Sequence, residues 1–172
     1  KFFNRKIFAD SRGCLSELFR EEWITDAGID VSFVQDNYSR SAENVVRGLH
    51  YQLRQPQAKL LTVTRGAILD VGVDLRKGSS TFAQWFSVEL SEENGQILYL
   101  PVGFAHGFSV IKGPADVQYK CSDIYVPDDQ FGLRWDDPKL NIDWGLSSPV
   151  VSERDAALPL LSDIAENSLP EL

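Results

Sequence analysis

The chain is poor in the side chains that most often carry chemistry: 172 residues include two histidines and two cysteines. Cys14 and Cys121 show no CxxC spacing, so two buried free thiols in a reducing cytoplasm are expected. No apolar run is long enough to span a bilayer, and no membrane association is expected. No charged-then-apolar leader opens the sequence, so secretion is not expected either. Neither GxGxxG nor GxxxxGK[ST] occurs, which leaves Rossmann-type and P-loop nucleotide binding without support. Basic residues are outnumbered: 17 Lys and Arg face 25 Asp and Glu, for a net charge of −8. That balance argues against a nucleic-acid partner, yet permits a small phosphorylated ligand held by a few local arginines.

What is present is a soluble-protein composition, 43% hydrophobic and 11% aromatic, with no linker, low-complexity tract or internal repeat. A single domain over 1–172 is expected, and at this size it can bury a full core. Turn signals such as "DSRG", "NYSRSAEN", "RKGSS", "SEENG" and "KGPAD" punctuate short runs rich in β-branched and aromatic residues. That rhythm marks a sandwich or barrel. "KLLTVTRGAILDVGVDLR" reads as two strands joined at Arg65-Gly66, with an alternation that slips near Asp70. "TFAQWFSVEL", "GQILYLPVG" and "ADVQYKCSDIYV" read as further strands. Helical patterning is confined to "SELFREEWITDAGI" and "SERDAALPLLSDI". The acidic "DDQFGLRWDD" reads as a loop with Trp135 buried. The expected fold is mainly β, a jelly roll with minor peripheral helices and a ligand site in its interior.

Both histidines fall in segments with recognisable spacing. His106 lies in "GQILYLPVGFAHGF", where Gly95, Pro101, Gly103 and His106 have the spacing of the second motif of the cupin jelly rolls (double-stranded β-helices). His50-Tyr51-Gln52, then Lys59 and Gly66, have the shape of the first motif, with a somewhat longer gap. Metal-binding cupins carry a second histidine and a glutamate where this chain has Gln52 and Lys59. A protonated lysine cannot ligate a cation and repels one, so a metal-free pocket is expected.

"VVRGLHYQ", "FVQDNYSRS", "VGVDLRKGSSTFAQW", "LPVGFAHGF" and "VSERDAALPLL" together resemble the dTDP-4-dehydrorhamnose 3,5-epimerase family, in family order and spacing. The likeness runs from about Phe8 to Leu161, nearly the whole chain; since the chain opens on Lys1 rather than Met, it also implies an incomplete N-terminal strand. It implies a cupin-type homodimer that needs no metal or redox cofactor and acts on a dTDP-4-keto-6-deoxyhexose, on the route to dTDP-L-rhamnose. The chemistry explains the residue types. A C4 ketone acidifies the hydrogens on C3 and C5; a base removes one, an acid returns it to the other face, and a cation stabilises the intervening enolate.

By this resemblance His50 is the base, an imidazole being suited to proton transfer near neutrality. Asp155 fixes its tautomer, Lys59 faces the developing enolate oxygen, and Tyr119 is the acid, a phenol being protonated at neutral pH. Arg12, Glu17, Gln35, Asn37, Arg47, His106 and Tyr125 are implied on the substrate side, the arginines because their forks suit a pyrophosphate. Each residue also has a plainer reading. Arg12 in "DSRG" suits a turn, Arg47 a rim charge, Asp155 a helix N-terminus and Tyr119 a strand core. Many family members carry aromatics after the Arg-Gly step that pack on the base; here Cys14-Leu15 weakens that stacking. Three alternatives stay open: a 3- or 5-epimerase acting at one carbon, a metal-dependent cupin enzyme, and a non-catalytic sugar-nucleotide-binding module.

Overall fold

The computed structural model describes residues 1–171. Two long strands organise it: β6 (Lys59–Asp74) and β9 (Phe104–Cys121), antiparallel along nearly their whole length. The first half of β6 also pairs with β8 (Gln96–Leu100), and its second half with β7 (Trp85–Ser91). The second half of β9 carries β4 (Gln35–Ser41), and its first half carries β5 (Val45–Gln52). Two half-sheets therefore share the same two strands and fold over one another, giving the expected mainly β, cupin-type jelly roll. Short strands complete the nine-stranded sheet: β1 (Phe2–Asn4) on β8, and β10 (Gln130–Gly132) and β11 (Val150–Val151) on β5. β2 (Ile7–Asp10) and β3 (Gly13–Ser16) pair only with each other, as a separate ribbon.

The bend in β6 explains why its sequence reads as two strands. Register shifts cluster between Val63 and Ile68, and Gly66 sits at φ +72°. A left-handed residue turns the chain without ending the ladder, and glycine adopts that conformation at no steric cost. The interior between the half-sheets is filled by Leu61, Val63, Ile68, Leu90, Phe108 and Val117. Val46, Leu49, Val71 and Val73 face the other way, onto Trp144 and Leu161 of the C-terminal segment. The slip in alternation at Asp70 is a carboxylate turned into the interior, and it is fully buried.

Helix is scarcer than the sequence pattern predicts. α1 spans only Glu21–Asp26, packing Ile24 beside Leu60 and Ile97. α2 spans Glu153–Ala156 and ends before Pro159, which disfavours helical backbone in the residue preceding it. Two expectations need correction. Gln130–Gly132, read as loop, pairs with β5, and Trp135 is only partly buried. Cys14 is exposed rather than buried, because its ribbon has no layer of this chain packed on it; Cys121 is buried, and both thiols are free.

Gly66→Ala should cost about 3 kcal/mol, since its methyl group would be driven into the Lys112 carbonyl oxygen as well as being held left-handed. Gly78→Ala, at φ +80° with open space around it, should cost about 1 kcal/mol. Urea unfolding compares them; equal midpoint shifts would remove the bend from its role in the fold.

Candidate active site

The site is built on an irregularity between β5 and β9. Arg47 pairs with Phe108, but His50 pairs with His106, so β5 holds one residue more than its partner across this interval. In a regular strand, residues three apart face opposite sides; the extra residue brings Arg47 and His50 onto one face. Glycine makes the approach possible. A Cβ on Gly48 (φ +103°) would lie 2.6 Å from the His106 carbonyl oxygen, and one on Gly107 would lie 2.6 Å from that of Arg47.

Two histidine–carboxylate pairs flank the cleft so formed. His50 Nε2–H donates to Asp155 Oδ1 at 2.7 Å, and the Gly48 N–H donates to Asp155 Oδ2 at 3.2 Å. Asp155 is buried in α2, and its own N–H donates to the Ser152 hydroxyl that caps the helix, at 3.1 Å. Burial alone would raise the Asp155 pKa; hydrogen bonds from His50, Gly48 and Ser152 outweigh it and hold the carboxyl below its ordinary value. On the facing strand, His106 Nε2–H donates to Asp70 Oδ2 at 2.7 Å. Among the described residues, the other Asp70 oxygen has no partner.

Lys59 starts β6 directly across from Cys121. Burial lowers its pKa from the ordinary lysine value, against the opposing pull of Cys121 and Asp70. Tyr119, on the same face of β9 as Cys121, has its phenol pKa raised, chiefly by burial.

These groups line a cavity of two lobes. One, about 290 Å³, is walled by Gln35, Asn37, Gln52, Cys121, Tyr125 and Gln130. The other, about 300 Å³, is walled by Ser39, Arg47, His106, Arg154 and Asp155. His50, Lys59 and Tyr119 line both. Nine of the residues singled out in the sequence thus meet: His50, Lys59, Tyr119, Asp155, Gln35, Asn37, Arg47, His106 and Tyr125. Arg12 and Glu17 do not join them within this chain. Arg12 lies on the separate ribbon with its side chain 88% exposed and paired to Asp10, and Glu17 pairs with Arg20.

Sequence reading missed Arg154, Asp70, Gln52 as a structural group, and Gln130. The slipped alternation was a signal for Asp70, and adjacency to Asp155 in "SERDAA" was one for Arg154. Gln130 gave none, since its role depends on contacts distant in the chain: its Oε1 accepts from Tyr125 Oη at 2.6 Å and from Arg154 Nη2 at 2.5 Å. Arg154 has that amide as its partner, and Arg47 Nε donates to the Ser41 hydroxyl at 2.8 Å. Among the described residues, neither arginine nor Lys59 has a carboxylate within ion-pair distance. Three cations uncompensated in so acidic a chain make this lobe receptive to an anion.

Comparison with known proteins identifies the family of the chain. The family model described as dTDP-4-dehydrorhamnose 3,5-epimerase matches residues 1–163. A dTDP-4-dehydrorhamnose 3,5-epimerase of Pseudomonas aeruginosa is 48% identical over 155 residues, covering 89% of this chain and 86% of its own. The fold is similar to the crystal structure of a dTDP-6-deoxy-D-glucose-3,5-epimerase from Legionella pneumophila in complex with dTDP-4-keto-L-rhamnose. The TM-score is 0.95 at 46% identity, covering 99% of this chain and 92% of that one. It is also similar to a 3'-monoepimerase from Streptomyces bikiniensis in complex with dTDP-quinovose, with TM-score 0.90 at 35% identity, covering 99% and 88%. With the match extending over nearly all of the sequence and all of the roll, the chain belongs to the dTDP-4-dehydrorhamnose 3,5-epimerase family.

Proposed function

We propose that the cavity inverts C3 and C5 of dTDP-4-dehydro-6-deoxy-D-glucose, giving dTDP-4-dehydro-L-rhamnose, an isomerisation in the formation of dTDP-L-rhamnose. The observation that carries this reading is the His50–Asp155 hydrogen bond in a cavity that Lys59 and Tyr119 also line. Asp155 is ionised at neutral pH, so the imidazole nitrogen facing it is the N–H, and Nδ1 keeps the lone pair that accepts a proton from carbon. As the proton leaves, negative charge moves to the C4 oxygen, where the Lys59 ammonium stabilises it. Tyr119 then donates its phenolic proton to the opposite face; His50 gives up its proton to solvent and Tyr119 takes one back, and repetition at the second carbon completes the isomerisation.

Arg47 and Arg154 hold the pyrophosphate, a pair of charges matched to its own. Gln35, Asn37 and Tyr125 contact the nucleotide end, and His106, fixed by Asp70, shapes the sugar pocket. The donor set does not suit a divalent cation. Both imidazoles are committed to carboxylates, an ammonium stands beside them, and among the described residues no three His, Cys, Asp or Glu gather as ligands.

The working form in this reading is a homodimer. Phe8 and Leu15, 60% and 73% exposed on the ribbon, support its packing on a second copy, where Arg12 and Glu17 of the partner subunit complete the nucleotide site. A cytoplasmic setting is supported by the two free thiols, and among the described residues no helix is long and apolar enough to cross a membrane. A second reading, inversion at one carbon only, is favoured by the likeness to the 3'-monoepimerase.

Proton NMR in D2O with dTDP-4-keto-6-deoxyglucose distinguishes them. Deuterium at both C3 and C5 is expected; label at one carbon selects the second reading, and no label removes the catalytic one. His50→Ala should abolish exchange at both carbons while leaving the thermal unfolding temperature within a few degrees. Tyr119→Phe should keep proton removal measurable while inversion falls about a hundredfold; inversion at the wild-type rate would transfer the acid role to another group. The alkaline limb of the rate profile should belong to Lys59, whose pKa burial lowers, rather than to Tyr119, whose pKa burial raises. Activity should therefore fall as pH rises through a value below 10.5, the ordinary lysine value, and Lys59→Arg should move that limb upward. An unmoved limb would assign it elsewhere.

A further inference from the structure

We infer that Gln52 is a positioning residue for substrate binding: its amide braces the 122–126 segment and so fixes Tyr125 at the mouth of the cavity. The inference deepens the proposed function and rests on it for the identity of the ligand. Gln52 lies two residues beyond His50 on β5, on the same face, and is 5% exposed. It stands where a metal-binding cupin would carry a ligand, and here the amide is fully used within the protein. Nε2 donates to the Gln55 carbonyl at 2.8 Å and to the Ile124 carbonyl at 3.2 Å, while Oε1 accepts from the Val126 N–H at 2.8 Å. The two residues flanking Tyr125 are thus both tied to one buried side chain.

Apolar packing cannot do this work. Residues 122–126 belong to no strand or helix, and Ile124 and Tyr125 are 56% and 42% exposed. Other amides complete the hold. Gln57 Nε2 donates to the Asp123 carbonyl at 2.8 Å, the Tyr125 N–H donates to Gln35 Oε1 at 2.8 Å, and the Tyr125 hydroxyl donates to Gln130. Of these, Gln52 alone grips the segment on both sides of Tyr125. Holding an exposed aromatic in place before the ligand arrives removes the ordering cost from binding, so the brace acts on affinity. Its hydrogen bonds go to neither His50 nor Asp155, so the proton-transfer step is left alone.

The test uses Gln52→Ala and Gln52→Glu in the full chain. The glutamate keeps an acceptor for Val126 but cannot donate to the Gln55 and Ile124 carbonyls. It serves as the second variant should the alanine fold poorly. In the ligand-free enzyme, amide hydrogen exchange across 124–126 should quicken about tenfold or more. The KM for dTDP-4-keto-6-deoxyglucose should rise about tenfold, with kcat for solvent exchange within about threefold. In a Tyr125→Ala background, Gln52→Ala should add less than about twofold to KM, because the brace acts through that ring. An unchanged KM, fully additive effects of the two substitutions, or unaltered amide exchange would each overturn the inference. A wild-type enzyme inert toward the sugar nucleotide would overturn the proposed activity and the binding role with it. An active wild type with a Gln52→Ala variant of normal KM would overturn the brace alone.

Discussion

The hydrogen bond between His50 and Asp155 joins a strand of the roll to a four-residue helix more than a hundred residues later in the chain, and the site is organised around that closure. It is possible only because β5 bulges beside β9 and two glycines let the backbones meet. The bulge turns the imidazole onto the face that Arg47 shares, and the Ser152 cap presents the Asp155 carboxylate to it. The same carboxylate accepts the Gly48 N–H, so the irregular backbone and the orientation of the base are secured by one group. A carboxylate held ionised in this way dictates the tautomer of its imidazole partner, and the tautomer dictates which nitrogen can receive a proton.

The cavity divides its labour by charge. Asp155 and Asp70 are each committed to a histidine, which leaves Lys59, Arg47 and Arg154 as uncompensated cations. In a chain of net charge −8, such a concentration supports the proposed capture of a dianionic sugar nucleotide in one lobe and the proposed stabilisation of an enolate at its edge. Neutral amides wall the other lobe, where Gln35, Gln52 and Gln130 secure a segment that has no packing of its own. Fixing that segment with amides rather than carboxylates leaves the positive field of the neighbouring lobe intact.

Much of the site was legible because the sequence resembles a known family, and much of the fold because local rules carry it. The spacing of His50, Lys59, Gly66, Gly95, Pro101 and His106 records where strands turn and which faces point inward. The slip in alternation near Asp70 marked a side chain out of step with its neighbours, but not its pairing with His106. What could not be read depends on long-range geometry. β6 looked like two strands because a left-handed glycine resembles a turn locally, whereas the continuous ladder to β9 appears only in three dimensions. The helical stretches were overestimated because their periodicity is cut short by Pro159 in one case and by packing of little more than Ile24 in the other. Gln52 could be read as an absent ligand but not as a brace, since its partners at Ile124 and Val126 lie some seventy residues away. Arg12 sits in the turn of the separate ribbon and Glu17 just beyond it, each paired to a near neighbour in the chain, so their place in the proposed site was implied by the resemblance alone.

The central claim is that the Asp155 carboxylate sets the protonation pattern of His50 and thereby makes it a base toward carbon. Measuring solvent exchange at C3 and C5 by Asp155→Asn, alongside its affinity for dTDP, tests this directly. An amide can present its N–H to the imidazole and reverse the tautomer without changing the shape of the site. The account predicts exchange slowed by about a hundredfold or more, with dTDP bound as tightly as by the wild type. Exchange at the wild-type rate in that variant would contradict it.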